Sequence, residues 1–250
     1  MNKNYILVVF EGLVTEKTIF NNLKQYFLNE NENTIVYGFH CGEIYSLYNK
    51  LEKDEDLELF TLLQEKLKDT NPELQSIKKN QVSELYLFFD YDGHSISAND
   101  NKLKHMLELF DNETNDYGKL YISYPMVEAI KHLKDAVDFK DTIEESQKTY
   151  KETVSRNCNN SLQHIHKLNQ EDWNFIINQN SKKANFIVND TFEFPTSIIE
   201  QLEIFNNQKS KYIDKENKVS VLSAFPIFLL DYYGIDKFKQ NDKTNKDSNE

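Results

Sequence analysis

Short apolar runs and helix-spaced apolar residues alternate along the first 130 residues of the chain. Tyr5–Phe10 is β-branched and aliphatic, has strand length, and stops abruptly at Glu11-Gly12. Thr15 then reads as the N-cap of a helix to about Leu28, with Ile19, Phe20, Leu23 and Phe27 on one face. Thr34–His40 reads as a second strand. Ile44–Leu51 and Leu57–Leu67 read as helices, the latter carrying Leu59, Leu62, Leu63 and Leu67 at helical spacing, before Asn71-Pro72 breaks the pattern. Leu85–Phe89 is an unbroken apolar run of the kind found in strands buried on both faces. A helix over about Asn99–Phe110 follows, then a short strand at Lys119–Ser123. Pro125 stands where it would open a helix containing Met126, Val127, Ile130 and Leu133. The order β-α-β-α-β-α-β-α predicts an α/β fold with a parallel four-stranded sheet flanked by helices over residues 1–135.

Beyond Leu133 the strand signals fade, and 136–238 reads as mainly helical. Asp141–Glu152 and Ser161–Leu168 look helical and polar. Trp173–Val188 reads as a helix followed by a short strand, and Pro195 opens a helix with Ile198, Ile199, Leu202 and Phe205 on one side. Ser220–Tyr233 is the last predicted helix, closed by Gly234. Lys239–Glu250 has no apolar content to bury and is expected to be disordered.

Composition sharpens this picture. Aromatic residues are 13% of the 250, enough for a sizeable core despite a polar average. The net charge of −12 is uneven: residues 1–130 hold 12 Lys/Arg against 22 Asp/Glu, and residues 131–250 hold 17 against 19. A global basic footprint for nucleic acid is therefore lacking. Arg156 is the only arginine, so phosphate contacts would fall to Lys, backbone N–H groups or a metal. Cys41 and Cys158 stand alone, which suits a reducing compartment. With no signal peptide before the first strand and no apolar stretch long enough to span a bilayer, a cytoplasmic protein away from membranes is expected.

Ligands of parallel α/β sheets gather outside the carboxyl ends of the strands. Three of the four predicted strands carry acids there or shortly beyond: Glu11 after the first, Asp90 and Asp92 after the third, Glu128 after the fourth. Carboxylates at the end of a buried strand are costly unless a cation neutralises them, and Mg²⁺ takes oxygen ligands of this kind. The loop Gly12-Leu13-Val14, opening onto a helix N-terminus, would present N–H groups to a phosphate. Each acid also has a plain structural reading: Glu11 as a turn residue, Asp90-Tyr91-Asp92-Gly93 as a strand-ending turn, Glu16 and Glu128 as acids favoured in a first helical turn.

Glu11-Gly12-Leu13-Val14-Thr15-Glu16 after the first strand, taken with Asp90-Tyr91-Asp92 after the third, resembles the Toprim domain. That metal-dependent fold is shared by topoisomerases, bacterial primases, small RNA-maturation nucleases and OLD-type nucleases. The pattern is closer to the RloB-like Toprim proteins of bacterial anti-phage systems. There E-G-x-x-T-E precedes an aromatic-rich helix, as Phe20 does here, and a Ser-Asn-Pro…Glu segment follows the fourth strand. Its counterpart is Ser123-Tyr124-Pro125-Met126-Val127-Glu128, with Tyr124 where that family has Asn. The resemblance covers about the first 135 residues. It implies that Asp90 and Asp92 bind Mg²⁺ or Mn²⁺, as two ions, and that Glu11 is a metal ligand or the general acid/base at the scissile phosphate. Glu16 and Glu128 would complete the cluster. The implied activity is endonucleolytic hydrolysis of DNA or RNA, tRNA included. The implied partners are the nucleic acid and an ATPase or sensor protein, and a homodimer stays open.

Two other functions compete. Phe89-Asp90-Tyr91-Asp92-Gly93 imitates the nucleophile motif of haloacid dehalogenase-type phosphatases. In that family the motif usually follows the first strand and needs a Lys and a later acidic pair, whereas here it follows the third strand and leaves Glu11 unused. Alternatively the chain is a Toprim subunit, inactive alone and controlled by a partner ATPase or sensor. It has no Walker A sequence, and its charge would weaken unaided binding to nucleic acid. Among other chemistry-bearing residues, His94 adjoins the acids without a family counterpart, and His164 and His166 read as surface. Lys182, Lys183, Lys209 and Lys211 read as solvated charges, and Trp173 as core.

Overall fold

The computed structural model describes residues 3–28, 34–42, 44–54, 57–91, 99–133, 136–144 and 149–239, with the side chains of 136–138 excepted. Asp92, Gly93, His94 and the tail from 240 to 250 lie outside the described residues. The chain divides into two compact units, Met1–Phe89 with Ser95–Leu120, and Asp90–His94 with Tyr121–Glu250.

The sheet is built from β1 (Asn4–Phe10), β2 (Thr34–His40), β3 (Val82–Asp90), β4 (Asp111–Asn112) and β5 (Gly118–Ser123), in the order β2-β1-β3-β5-β4. β1 runs parallel to both of its neighbours, with Asn4 opposite Thr34 and Phe10 opposite His40 on one side and Phe88 on the other. The fifth strand absent from the sequence reading is β4, a two-residue antiparallel partner of β5. The helices α1 (Thr15–Tyr26), α2 (Ile44–Leu51), α3 (Leu59–Leu67) and α4 (Asp100–Leu109) flank the sheet.

In the first unit the core joins Leu7 and Val9 of β1 and Leu87 of β3 to helical Ile19, Leu23, Leu63 and Met106, all fully buried. α1 docks through Phe20, whose ring lies 5.2 Å from that of Phe10. Gly38 in β2 makes this approach feasible, because a Cβ there would lie 2.5 Å from the Phe20 ring. α1 begins at Thr15, one residue before the start that a Thr15 N-cap implies; Val14 is the N-cap and supplies no side-chain bond. Asn99 caps α4 by accepting the Asn101 N–H at 2.8 Å, as its residue type favours.

The second unit departs further from the sequence pattern. Pro125 opens no α-helix; a 3₁₀ turn over Val127–Lys131 follows an extended Met126. The segment expected as one polar helix splits into α5 (Ala136–Asp141), β6 (Ile143–Glu144) and α6 (Tyr150–Asn157). Two 3₁₀ turns, Asn160–Leu162 and Ile165–Lys167, replace the next, and they leave His164 and His166 exposed. α7 (Gln170–Asn189) is a single 20-residue helix with no strand after it. The Asn169 side chain accepts the N–H groups of Glu171 and Asp172, Asp172 returns a bond to the Asn169 N–H, and left-handed Asp190 ends the helix. α8 (Gln201–Gln208), a π-turn at Lys209–Ile213 and α9 (Asp214–Glu216) follow. The helix expected from Ser220 starts later, as α10 (Ala224–Tyr233). Ahead of it Val219–Ser220 forms β7, antiparallel to β6. Trp173 is fully buried, as expected of a core residue. Residues 235–239, ending on Lys239, are helical. No helix among the described residues is long and apolar enough to cross a membrane.

Candidate functional site

In the first unit, Glu11 leaves β1 while its N–H donates to the Phe88 carbonyl at 3.2 Å, continuing the pairing with β3. The carboxylate of Glu16 turns back and accepts the Gly12 N–H at 2.8 Å. A Cβ at Gly12 would collide with both Glu16 oxygens, so a larger residue there must displace the Glu16 carboxylate. Glu16 is buried and serves as the anion for its own loop. The Gly12 N–H expected to meet a phosphate is thus already taken. The side chains of Leu13 and Val14 beside it are 64% and 70% exposed. Cys41 is buried, and burial with the nearby Glu11 charge pushes its thiol up to about 12 against the opposing pull of Lys66, so it keeps its proton at neutral pH.

In the second unit, Asp90 is the last residue of β3. The backbone after it is pinned, since Tyr91 N–H donates to the Ser123 carbonyl at 2.9 Å and the Tyr91 ring stacks on Tyr124 at 5.6 Å. Tyr124 therefore packs against the aspartate segment. It also exchanges two backbone bonds with Leu222. Glu128 sits in the 3₁₀ turn and is buried; Lys151 of α6 approaches its Oε1 at 3.2 Å, and its Oε2 is buried with no hydrogen-bond partner.

A buried pair lies near these acids. The Tyr150 hydroxyl is 3.1 Å from His132 Nδ1. Burial, then the charges of Glu144, Glu128 and Asp90, push the Tyr150 hydroxyl well above its ordinary pKa. Burial and the Lys183 ammonium push His132 down to about 4. Tyr150 therefore keeps its proton and His132 stays neutral at pH 7. Sequence reading singled out neither of these residues nor Lys151, because nothing local marks them; only packing of α6 against the turn brings them to Glu128.

Lys183 reverses its expectation as a solvated charge. It is fully buried in α7, and its Nζ donates to the carbonyls of Phe139, Lys140 and Thr142 at 2.8, 2.7 and 3.1 Å, capping the end of α5. Lys209 and Lys211 are paired, with Asp214 and Asp190 respectively.

No family model, curated protein or solved structure matches the chain.

Among the described residues no group of three or more His, Cys, Asp or Glu side chains is arranged to hold a metal ion, and Asp92 falls outside them. The residue types of the candidate donors suit a hard divalent cation. They are carboxylates, and the partnerless Oε2 of buried Glu128 is the kind of oxygen such a cation satisfies.

Proposed function

We propose that the chain is a Toprim-type, Mg²⁺- or Mn²⁺-dependent endonuclease acting on DNA or RNA, tRNA included, and an effector of bacterial anti-phage defence. The observation that carries this reading is the strand order. Within the first unit β1 is the parallel neighbour of β3, the carboxyl ends of such neighbours are where these sheets gather ligands, and the Glu11 N–H extends that pairing to the Phe88 carbonyl. The haloacid dehalogenase reading leaves Glu11 without a task and is not pursued. The anti-phage setting rests on the resemblance alone. We place the protein in the cytoplasm, which its free thiols suit.

In this reading Asp90, Asp92 and Glu128 hold the metal, and Glu11 is a ligand or moves a proton at the scissile phosphate. Glu16 acts indirectly, by fixing the loop that follows Glu11. When bound, divalent ions of such a site supply Lewis-acid stabilisation of the phosphodiester oxygens. Lys151 neutralises one oxygen of Glu128 and adds a cation for the substrate backbone. Tyr150 and His132, held neutral, place a proton-bearing hydroxyl among the acids without adding charge. Incubation with Mg²⁺ or Mn²⁺ and a panel of plasmid, single-stranded DNA and tRNA tests the reading: cleavage is expected from wild type and lost in Asp90→Ala and Glu11→Ala.

The charge of −12 favours a second reading, in which the chain is a subunit controlled by a partner ATPase or sensor. It predicts no turnover by the purified chain until that partner is added.

A further inference from the structure

We propose that the cleft over the carboxyl end of β2 binds one nucleotide of a single-stranded nucleic acid and so leads the strand to Glu11. The inference deepens the nuclease reading and rests on it.

The cleft lies wholly within the first unit and measures about 530 Å³, within the roughly 300–1,000 Å³ typical of small-ligand sites. Gly12 and Leu13 form part of its wall, so an occupant sits beside the residue assigned to the scissile phosphate. Among the described residues β2 is an edge strand, paired in the sheet with β1.

The lining matches the parts of a nucleotide. Half-buried Tyr37 offers its ring to a base and is backed by buried Phe39, with ring centroids 5.9 Å apart. Tyr37 is held in place because its hydroxyl donates to Glu73 Oε2 at 2.7 Å. Aromatic platforms of this kind accept any base, since every base has a π-face. Thr70 and Asn71 line the cleft and offer hydroxyl and amide groups able to pair with a base edge. Lys17 and His40, also in the lining, are the groups suited to a phosphate. A base must be unpaired and unstacked to enter such a cleft, which selects single strands or loops over duplex.

Fluorescence anisotropy in EDTA, where metal-dependent hydrolysis is silent, tests the assignment with fluorescein-labelled RNA and DNA hexamers. The proteins are wild type, the double variant Lys17→Ala/His40→Ala, and Thr70→Trp to fill the cleft mouth, each checked for an unchanged circular dichroism spectrum. Both cleft variants are expected to weaken hexamer binding roughly tenfold, one by losing its phosphate contacts and the other by blocking the base. Unlabelled hexamer is expected to compete and the matching duplex not. The RNA and DNA arms identify the sugar, and either preference agrees with the proposal. No hexamer binding by wild type, or binding by both cleft variants within twofold of wild type, overturns it. Adenosine or uridine monophosphate binding as tightly as the hexamer in isothermal titration overturns the strand assignment and makes this a free-nucleotide site. The nuclease reading fails separately: hexamer binding that depends on the cleft, without cleavage under any metal, sinks that reading alone. Cleavage that ignores the cleft variants sinks the cleft alone.

Discussion

Replacing Lys183 by Met is expected to destabilise the second unit by about 3–5 kcal/mol, the net cost of leaving three buried carbonyls without their donor. The native ammonium has three N–H groups and gives them to three carbonyls at 2.8, 2.7 and 3.1 Å in a fully buried position. Met fills similar volume but leaves all three acceptors without a donor, each costing about 1–3 kcal/mol, partly offset because no ammonium need then be desolvated. Trp173, the only tryptophan, is fully buried on the same helix, so its fluorescence in urea reports the unit that Lys183 supports. With a slope of about 2–3 kcal/mol per M, the midpoint should fall by about 1–2 M. The deficit also depends on pH. Burial pushes the Lys183 pKa from 10.5 down to about 7, against the pull of Asp141. The unfolded chain therefore binds more protons than the folded one between about pH 7 and 10.5, and wild-type stability rises with pH across that window. The full shift sets a ceiling of about 5 kcal/mol, which the third carbonyl lowers because a neutral amine has only two N–H groups. The Met variant lacks this rise, so its deficit grows from pH 6.5 to pH 9. A midpoint shift under about 0.3 M, or a deficit that shrinks with pH, refutes the capping role.

His132 supplies the opposite end of the pH range: its pKa falls from 6.5 to about 4 in the fold, so its stabilisation is complete above pH 6.5 and is lost as pH drops through 4. Urea unfolding of His132→Gln should lose up to about 3 kcal/mol of the wild-type pH dependence between those values, and an unchanged dependence would reject the assignment. Gly12→Ala should push the Glu16 carboxylate off the Gly12 N–H, lowering stability by about 1–2 kcal/mol in thermal unfolding, whereas a neutral outcome would mean the loop tolerates a methyl. Gln208→Leu removes two buried bonds to the Ser220 backbone, at 2.6 and 2.8 Å, and should cost about 2–4 kcal/mol by the Trp173 urea assay; a change below 1 kcal/mol would show that β7 holds its place without them.

Where apolar periodicity was strong the sequence revealed the structure. Thr34–His40 and Ile44–Leu51 form a strand and a helix with those same ends, because alternation or helical spacing there meets no conflicting signal. Trp173–Val188 misled because Asn178-Gln179-Asn180-Ser181-Lys182-Lys183 interrupts the apolar pattern in mid-helix. Most of these polar residues are in fact buried, and Asn180 accepts the Ser223 N–H at 2.9 Å while Lys183 caps α5. A pattern that equates polar with exposed cannot see such a helix. β6 and β7 were missed for a different reason: two-residue strands carry no period, and distant partners specify them. At the candidate site, strand-end position pointed to Glu11, Asp90 and Glu128, but the division of labour was hidden. Glu16 is the same residue type as Glu11 five positions earlier, yet its carboxylate is engaged by the Gly12 N–H. The Lys151 and Tyr150 surroundings of Glu128 arise from packing alone.

The central claim is that Glu11, Asp90, Asp92 and Glu128 serve a divalent metal for phosphodiester cleavage. The most direct test is a time course of the purified chain with Mn²⁺ or Mg²⁺ on labelled plasmid, single-stranded DNA and tRNA, beside Asp90→Ala, Glu11→Ala and an EDTA control. The account predicts cleavage of at least one substrate by wild type, abolished by either substitution and by EDTA. Metal-dependent hydrolysis of a small phosphate ester that survives Glu11→Ala, with every nucleic acid left intact, would contradict it.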